Sequence, residues 1–141
     1  MTSPLYPQQI INSLNPKCEK IFIMCHKIGF PPISIMGFGF TDDIPKTVKE
    51  LDLMTRDAYL KSAHRDQNIG KIAIAYTIWS KKRGGGKLIV KEVFKMIKKS
   101  NHLNRLITLS PLTEMARNFH LNNGAIELQV NQDTQNFEYK I

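Results

Sequence analysis

Short apolar segments rich in β-branched residues recur along the chain and predict strands. The clearest is residues 71–79, whose almost unbroken apolar character is typical of a central strand covered on both faces. Residues 20–26 and 33–41 predict two further strands paired as a hairpin, with a bulge at Gly37. Three more strands are predicted nearer the C-terminus, at residues 105–109, 125–131 and 136–141.

Segments with a helical pattern separate several of these strands. Residues 87–99 place Ile89, Val93 and Ile97 on one side and most of their lysines elsewhere, which predicts a helix packed on one face. A helix is also predicted for residues 44–53, after capping side chains at residues 41–43.

A third helix is predicted near the C-terminus. Thr113 and Glu114 can begin it, and it runs to about Leu121. Asn122, Asn123 and Gly124 end it with residues that tolerate left-handed geometry. Residues 54–70 are polar and mixed, and predict a helix end followed by a loop.

The predicted element order is β-β-α-β-loop-α-β-α-β-β. Strands alternate with helices in the middle and form hairpins at the ends, which predicts an α/β fold with a mixed sheet and helices on both faces. A length of 141 residues suits a single domain spanning 1–141. Residues 1–16 contain three prolines and predict an irregular arm, with at most one short helix around residues 8–14.

Composition narrows the function classes. Twenty Lys and Arg residues against 12 Asp and Glu give a net charge of +8, which attracts nucleic acid, an anionic membrane or a phosphate-rich ligand. No apolar stretch approaches the ~20 residues of a membrane span, and the N-terminus lacks a signal-peptide pattern, so a soluble cytoplasmic protein is expected. The spacing of Cys18 and Cys25 fits no common zinc or redox motif, and no metal site is predicted.

A basic glycine-rich segment, Ser-Lys-Lys-Arg-Gly-Gly-Gly at residues 80–86, connects the central strand to the helix 87–99. Glycines let the backbone approach a ligand closely, and a helix N-terminus presents free N–H groups and partial positive charge. This arrangement favours a pyrophosphate ligand, although a solvated basic turn is the alternative interpretation. The segment matches neither a P-loop nor a dinucleotide-binding fingerprint.

Residues 81–86, Lys-Lys-Arg-Gly-Gly-Gly, resemble the phosphate loop Gln/Arg-x-x-Gly-x-Gly/Ala of the GNAT acyltransferase superfamily, with Lys81 at the usual Gln or Arg position. The resemblance implies a GNAT-like, mostly antiparallel sheet and an acyl-CoA such as acetyl-CoA as substrate. It also implies that the loop amides bind the pyrophosphate and that the preceding strand pairs with the pantetheine arm. The implied CoA-binding residues are Tyr76, Thr77, Ile78, Trp79, Ser80, Lys81, Lys82, Arg83, Gly84, Gly85, Gly86, Lys87 and Asn118.

Residues 116–125 resemble a second GNAT motif, Ala-x-x-Phe-Tyr-x-x-x-Gly-Phe, with His120 in the place of the tyrosine that protonates the CoA thiolate. Residues 108–111, Thr-Leu-Ser-Pro, and 118–125 more narrowly resemble the catalytic segments of the malonyl-CoA decarboxylase family. That resemblance implies a catalytic Ser110 and a catalytic His120. The long insertion that separates the two segments in that family is absent from this sequence.

Three functions follow as alternatives. The first is a CoA-dependent acyltransferase acting on an unidentified amine, either a small molecule or a protein, with His120 as the acid because its ordinary pKa is near neutral. The second is a malonyl-CoA decarboxylase-like lyase using Ser110 and His120. The third is a non-catalytic module binding CoA or nucleic acid, but no helix-turn-helix, zinc or RNA-binding motif supports nucleic acid. General-base candidates without a spacing argument are Asp42, Asp43, Glu114 and Glu127.

Overall fold

The computed structural model describes residues 6–11, 19–25, 32–65, 70–80, 84–100 and 103–140. Within these ranges the chain forms eight strands and three helices. Their bounds are β1 Tyr6–Ile11, β2 Glu19–Cys25, β3 Pro32–Thr41, α1 Val48–Arg65, β4 Ile72–Ser80, α2 Gly85–Lys99, β5 Arg105–Thr108, β6 Ser110–Pro111, α3 Glu114–Asn122, β7 Ile126–Val130 and β8 Thr134–Tyr139.

All eight strands belong to one sheet with the order β1-β2-β3-β4-β5-β8-β6, and β7 pairs with β8. The β4–β5 pair is parallel, and the other described pairs are antiparallel. The parallel pair requires a crossover, which α2 provides. This architecture confirms the predicted mixed, mostly antiparallel sheet.

Strand β4 lies at the centre of the molecule and is buried on both faces, as its unbroken apolar sequence predicts. Ile72 and Ile74 pack with Leu51 of α1. Ala73 and Ala75 point to the other face, where they pack with α2 residues such as Val93. The side chains alternate because successive residues of a strand point to opposite faces. Helices therefore cover both faces of the sheet, as predicted.

The N-terminal segment differs from the prediction. Residues 6–11 were expected within an irregular arm, but they form β1, which pairs antiparallel with β2 from Tyr6 opposite Cys25 to Ile11 opposite Lys20. Pro7 fits this position because β1 lies at the edge of the sheet, where one side of the strand needs no partner. The irregular-arm prediction was wrong for residues 6–11, and residues 1–5 and 12–16 lie outside the described ranges.

Helix α1 begins later and ends later than predicted. It starts at Val48 because Thr47 caps it, with Thr47 Oγ1 accepting a hydrogen bond from Glu50 N at 3.0 Å. The carboxylate of Glu50 accepts from Lys46 N, one residue before the cap, at 3.4 Å. The expected cap at residues 41–43 has a different role, since Asp42 Oδ1 accepts from Gly70 N at 2.7 Å and so fixes the loop before β4.

The two capping interpretations make different predictions about stability. Thr47→Ala should lower the free energy of unfolding by about 1 kcal/mol, because it leaves the first N–H groups of α1 without their side-chain acceptor. Asp43→Ala should change it by less than ~0.5 kcal/mol, because this exposed side chain caps no helix. Urea unfolding of both variants measures the difference. A larger loss for Asp43→Ala would contradict the observed cap.

Helix α3 agrees with the sequence prediction, and the bulge between β3 and β4 does not. Thr113 Oγ1 accepts from Ala116 N at 3.2 Å and so caps α3. Gly124 follows the helix with a φ of 94°, the left-handed geometry expected there. The bulge was predicted at Gly37 of β3, but Gly37 lies opposite Thr77 and Phe38 opposite Ala75, so the extra residue is Tyr76 of β4. In the part of the chain that the structure describes, no helix is long and apolar enough to cross a membrane.

Candidate active site

A cleft opens where β4 and β5 diverge. The two strands pair only from Ile72 to Ala75 of β4, and Leu109 N donates to the carbonyl oxygen of Ala75 at 2.8 Å. Beyond Ala75, β4 continues to Ser80 with no described strand paired on that side. The resulting cavity of about 390 Å³, here called the central cleft, is lined by Ala75, Tyr76, Ile78, Ser80, Gly86, Leu109, Ser110, Pro111, Thr113, Met115, Ala116, Phe119 and His120.

The walls of the central cleft are mainly apolar, with polar groups concentrated at one end. Ile78 and Phe119 pack against the core on the α2 face of the sheet. Tyr76 lies over Gly37 of β3, where a Cβ atom would come within 3.0 Å of the tyrosine hydroxyl oxygen. Gly37 therefore makes room for the Tyr76 ring in the cleft wall.

A chain of buried polar groups lies at the far end of the cleft. Ser110 Oγ is 3.1 Å from His120 Nε2 and 2.9 Å from Thr108 Oγ1. His120 Nδ1 is 2.8 Å from the hydroxyl of Tyr139. Only 5% of Ser110 and 4% of His120 is exposed, so the cleft provides their access to a ligand. The structure thus brings the two predicted catalytic residues together.

The neighbouring elements hold these side chains in place. Ser110 sits on β6, which pairs with β8, and Thr108 Oγ1 also accepts from Phe137 N of β8 at 3.0 Å. The His120 ring on α3 stacks on Phe137 with 5.3 Å between the ring centroids. This stacking contact and the contacts at both nitrogens fix the imidazole orientation, which is a requirement for proton transfer in a defined direction.

Burial determines the charge of this cluster. Removal from water disfavours the imidazolium, which lowers the pKa of His120 from 6.5 to about 4. The same effect raises the pKa of Tyr139 above its usual value of 10. Both groups are therefore neutral at pH 7, and His120 is a neutral imidazole in the resting protein. The sequence predicted that His120 acts as an acid with a pKa near neutral. In the structure, burial lowers the pKa of His120 well below that value.

The lowered pKa of His120 predicts acid sensitivity. The His120 side chain takes up a proton near pH 6.5 in the unfolded chain and only near pH 4 in the folded protein. The free energy of unfolding is therefore unaffected by this group above pH 6.5 and decreases as the pH falls to 4, by about 3 kcal/mol. Urea unfolding should show this decrease in the wild type but not in His120→Gln. Carboxylates act equally in both proteins, so an identical pH dependence would contradict the prediction.

The start of α2 borders the central cleft, which Gly86 lines. Gly84 has a φ of 87°, which favours glycine, and among the described residues no side chain caps the helix. The first N–H groups of α2 therefore have no side-chain acceptor within the described part of the chain. A Cβ on Gly85 would collide with Ser80 Oγ, and one on Gly86 would lie 3.1 Å from the Phe119 ring. The glycines thus allow close packing at this point, in addition to any approach of a ligand.

The structure places the sequence-predicted residues in several groups. Those that line the central cleft are Tyr76, Ile78, Ser80, Gly86, Ser110 and His120. Gly84 and Gly85 lie beside the cleft at the start of α2, and Lys87 lies in a neighbouring groove. Thr77 and Asn118 are exposed and do not line the cleft, and Trp79 pairs with Ile35 of β3. Lys81, Lys82 and Arg83 lie outside the described residues.

Two members of the polar cluster were not found by sequence reasoning. Thr108 and Tyr139 are brought to Ser110 and His120 by the pairing of β5 with β8, in which Leu106 lies opposite Tyr139. Thr108 belongs to the segment 108–111 that resembles the decarboxylase family, but the sequence assigned no role to it. Tyr139 lies 19 residues after His120, and no local pattern marks it.

The candidate general bases lie away from the cleft. Asp42 accepts hydrogen bonds from Gly70 and Lys71, and Glu127 pairs with Arg117. Asp43 and Glu114 are exposed and line no wall of the cleft. None of the described cleft residues carries a carboxylate. The described ranges also contain no group of three His, Cys, Asp or Glu residues placed to hold a metal ion.

No protein-family model and no curated protein matches this sequence. Among solved structures, malonyl-CoA decarboxylase from Cupriavidus metallidurans is similar with a TM-score of 0.68 and 15% identity, covering 96% of this chain and 60% of that one. An acetyltransferase from Thermus thermophilus has a TM-score of 0.56 and 10% identity, covering 92% and 68%. Malonyl-CoA decarboxylase from Rhodopseudomonas palustris has a TM-score of 0.50 and 15% identity, covering 85% and 34%.

These likenesses establish the fold. The chain has a GNAT-like fold, as the phosphate-loop resemblance implied. It spans 60% of the length of the Cupriavidus metallidurans decarboxylase chain and 34% of the Rhodopseudomonas palustris chain.

Proposed function

We propose that this protein binds an acyl-CoA in the central cleft and that Ser110 and His120 act on the acyl group, with decarboxylation of a malonyl-type thioester as the favoured reaction. The observation that carries the proposal is the buried contact of 3.1 Å between Ser110 Oγ and His120 Nε2 at one end of this cleft. The start of α2, which no described side chain caps, borders the same cleft through Gly86.

The cleft matches the successive parts of an acyl-CoA. The N–H groups at the start of α2, which no described side chain caps, suit the pyrophosphate because a helix N-terminus stabilises anions. The carbonyl of Ala75 faces β5, and Ile78 packs on the same face of the sheet as Ala75 because the bulge at Tyr76 reverses the alternation. We therefore expect the backbone of Ile78 to point into the gap. These main-chain groups suit the amides of the pantetheine arm. The thioester then reaches Ser110 and His120.

The polar cluster can support loss of carbon dioxide. The Ser110 hydroxyl donates to the thioester oxygen while the bond between the α-carbon and the carboxylate breaks. The electron pair of that bond forms the enolate, and carbon dioxide leaves. His120 takes a proton from solvent as the anionic substrate binds, because an opposite charge favours the imidazolium. It then gives that proton to the α-carbon, which completes the acetyl thioester.

Two features of the cleft favour decarboxylation over transfer to an amine. An attacking amine must lose a proton, but no described cleft residue is a carboxylate and burial makes His120 a weak base. The mainly apolar walls also stabilise uncharged carbon dioxide relative to the substrate carboxylate. Acyl transfer was the first expectation from the sequence, and these two features support decarboxylation as the first candidate here.

Acyl transfer to an amine is the second candidate. Its support is the divergence of β4 from β5 beyond Ala75 and the start of α2, which no described side chain caps; both features suit any acyl-CoA and do not depend on the acyl group. The observed fold is compatible with either reaction.

Two measurements test the proposal. Isothermal titration with acetyl-CoA and malonyl-CoA should detect binding of both, and absence of binding at millimolar ligand would overturn the proposed function. Incubation with malonyl-CoA, followed by chromatography of the thioesters, should show conversion to acetyl-CoA without free CoA. Release of free CoA that depends on an added amine would instead support acyl transfer.

A further inference from the structure

The pairing of β8 with β5 and β6 is interrupted just before Ser110. The two strands face β8 in one continuous register, given by the pairs Leu106–Tyr139, Ile107–Glu138, Ser110–Gln135 and Pro111–Thr134. This register would place Thr108 opposite Phe137, but the described strands form no pair there. Leu109 belongs to no strand, and its N–H donates to Ala75 of β4. Since successive residues alternate in direction, the main-chain groups of Thr108 face β8.

Two side chains replace the missing main-chain bond at this point. In a regular antiparallel pair, the N–H of Phe137 would donate to the carbonyl oxygen of Thr108. Here Phe137 N donates to the side-chain oxygen of Thr108, Oγ1, at 3.0 Å. The carbonyl oxygen of Thr108 accepts instead from the side-chain amide of Asn136, with 2.8 Å between Nδ2 and the oxygen. The Asn136 side chain thus takes the place of a main-chain donor of β8.

The Asn136 side chain is fully buried, and all of its hydrogen-bonding capacity is used. Its amide nitrogen also donates to the carbonyl oxygen of Pro45 at 3.1 Å. Its oxygen, Oδ1, accepts from Gln129 Nε2 at 3.0 Å and from Asn131 Nδ2 at 2.8 Å. Together with the bond to Thr108, these contacts use both donors and both acceptor sites of the amide, so the side chain is held in one orientation.

Thr108 connects this fixed amide to the candidate catalytic pair. Its Oγ1 accepts from Phe137 N and also from Ser110 Oγ, at 2.9 Å. Ser110 Oγ in turn lies 3.1 Å from His120 Nε2. A change in the tilt of the Thr108 peptide would therefore move the oxygen that contacts Ser110. A displacement of about 1 Å at a reacting group can cost ~100-fold in rate, so the hold on the Thr108 carbonyl matters for the reaction.

We propose that Asn136 is a positioning residue of the Ser110–His120 pair, and that it sets the orientation of Ser110 through Thr108. Asn136 is not among the described residues that line the central cleft, so it acts through these neighbours and not on the substrate. The proposal rests on the proposed function, because the spacing of Ser110 and His120 controls the rate only if both act on the acyl group. It assigns a role to a buried polar side chain that the reaction does not use directly.

Asn136→Asp tests the assignment, with Asn131→Asp as the matched control. The first substitution keeps an oxygen that can accept from Gln129 and Asn131 but removes the donor to Thr108. The control makes the same chemical change in the same network and also removes two donated hydrogen bonds, neither of which reaches Thr108. With malonyl-CoA, Asn136→Asp should lower kcat by about 10- to 100-fold and keep KM within a factor of about 3. Asn131→Asp should keep both constants within a factor of about 3.

A measurement without turnover separates this assignment from the proposed function. Nitrogen-15 NMR of the His120 ring, with no ligand added, should show a changed Nε2 signal in Asn136→Asp and the wild-type signal in Asn131→Asp. An unchanged signal together with an unchanged kcat would overturn the positioning role and leave the acyl-CoA proposal intact. If the wild type leaves malonyl-CoA unconverted, the proposed function fails, and the ring signal alone then decides whether Asn136 orients the pair.

The remaining outcomes concern the fold of the variants, which circular dichroism and thermal unfolding establish. If Asn136→Asp does not fold, Asn136→Ser takes its place, because its uncharged side chain is too short to keep the bond to Thr108. Failure of both variants to fold would make Asn136 a purely structural residue and overturn the proposal. Equal losses of kcat in Asn136→Asp and Asn131→Asp would also overturn it, since general damage to the network would then explain the effect.

Discussion

Decarboxylation of malonyl-CoA by Ser110→Ala is expected to be at least ~100-fold slower than by the wild type. The substitution removes the only hydroxyl within 3.1 Å of His120 Nε2 among the described residues. The thioester oxygen then has no donor when charge develops on it, and His120 loses the group that orients its Nε2. His120→Gln should cause a comparable loss, because it removes the group that carries the proton to the α-carbon.

A second buried serine provides a matched control. Ser34 is fully buried on β3, its Oγ has no hydrogen-bond partner in the described structure, and it does not line the central cleft. Ser34→Ala therefore removes the same hydroxyl and should leave the turnover rate within a factor of about 3, since no hydrogen bond is lost. Both variants should retain CoA affinity in titration. Full activity in Ser110→Ala would reject the assigned role of this residue.

Tyr139→Phe is expected to lower kcat by about 10- to 100-fold with little change in KM. The phenyl ring preserves the packing on β8, but His120 Nδ1 loses its partner at 2.8 Å. Which nitrogen of a neutral imidazole carries the proton depends on the hydrogen bond that the other nitrogen makes. Without the hydroxyl, the imidazole is no longer held in one protonation pattern, and a smaller fraction of molecules is ready to react.

The role of Tyr139 can be separated from a general structural effect. Nitrogen-15 NMR of the His120 ring should show an altered distribution of the proton between Nδ1 and Nε2 in Tyr139→Phe, together with a changed pH dependence of kcat. A purely structural contribution would instead lower thermal stability and raise KM while leaving the ring tautomer unchanged. An unchanged tautomer with an unchanged rate would contradict the assigned positioning role.

Most elements could be predicted because their signals are local. The apolar segment of β4, the one-sided apolar pattern of α2 and the cap at Thr113 each lie within a few adjacent residues. The cap of α1 was also present in the sequence, as Thr47 followed three residues later by Glu50. It competed with another set of capping residues, and only the contact between Asp42 and Gly70 decides between them.

Strand β1 had no comparable local signal. Residues 6–11 include Pro7 and two glutamines, and their extended form depends on hydrogen bonds to β2. Sheet pairing joins segments that are distant in the sequence, so a short edge strand can be predicted only when its partner strand is known. For the same reason the sequence did not predict a role for Tyr139, since β8 reaches Ser110 and His120 through its pairing with β5.

The structure shows where some of the lysines behind the net charge of +8 lie. The net charge by itself indicated only an affinity for anions, and nucleic acid was one of three classes of anionic ligand that it allowed. The tertiary structure places Lys87 and Lys91 beside Lys140, which is about fifty residues away in the chain, around a single groove.

The sequence by itself determined the order of most elements after β1, the glycine-rich start of α2 and the residue types at positions 110 and 120, because these depend on local pattern and on resemblance between short motifs. The tertiary structure decided how these parts act together. Divergence of β4 from β5 opens the cleft, and burial by the surrounding elements lowers the pKa of His120 to about 4. Desolvation depends on every element packed around a side chain, and no local sequence pattern carries that information.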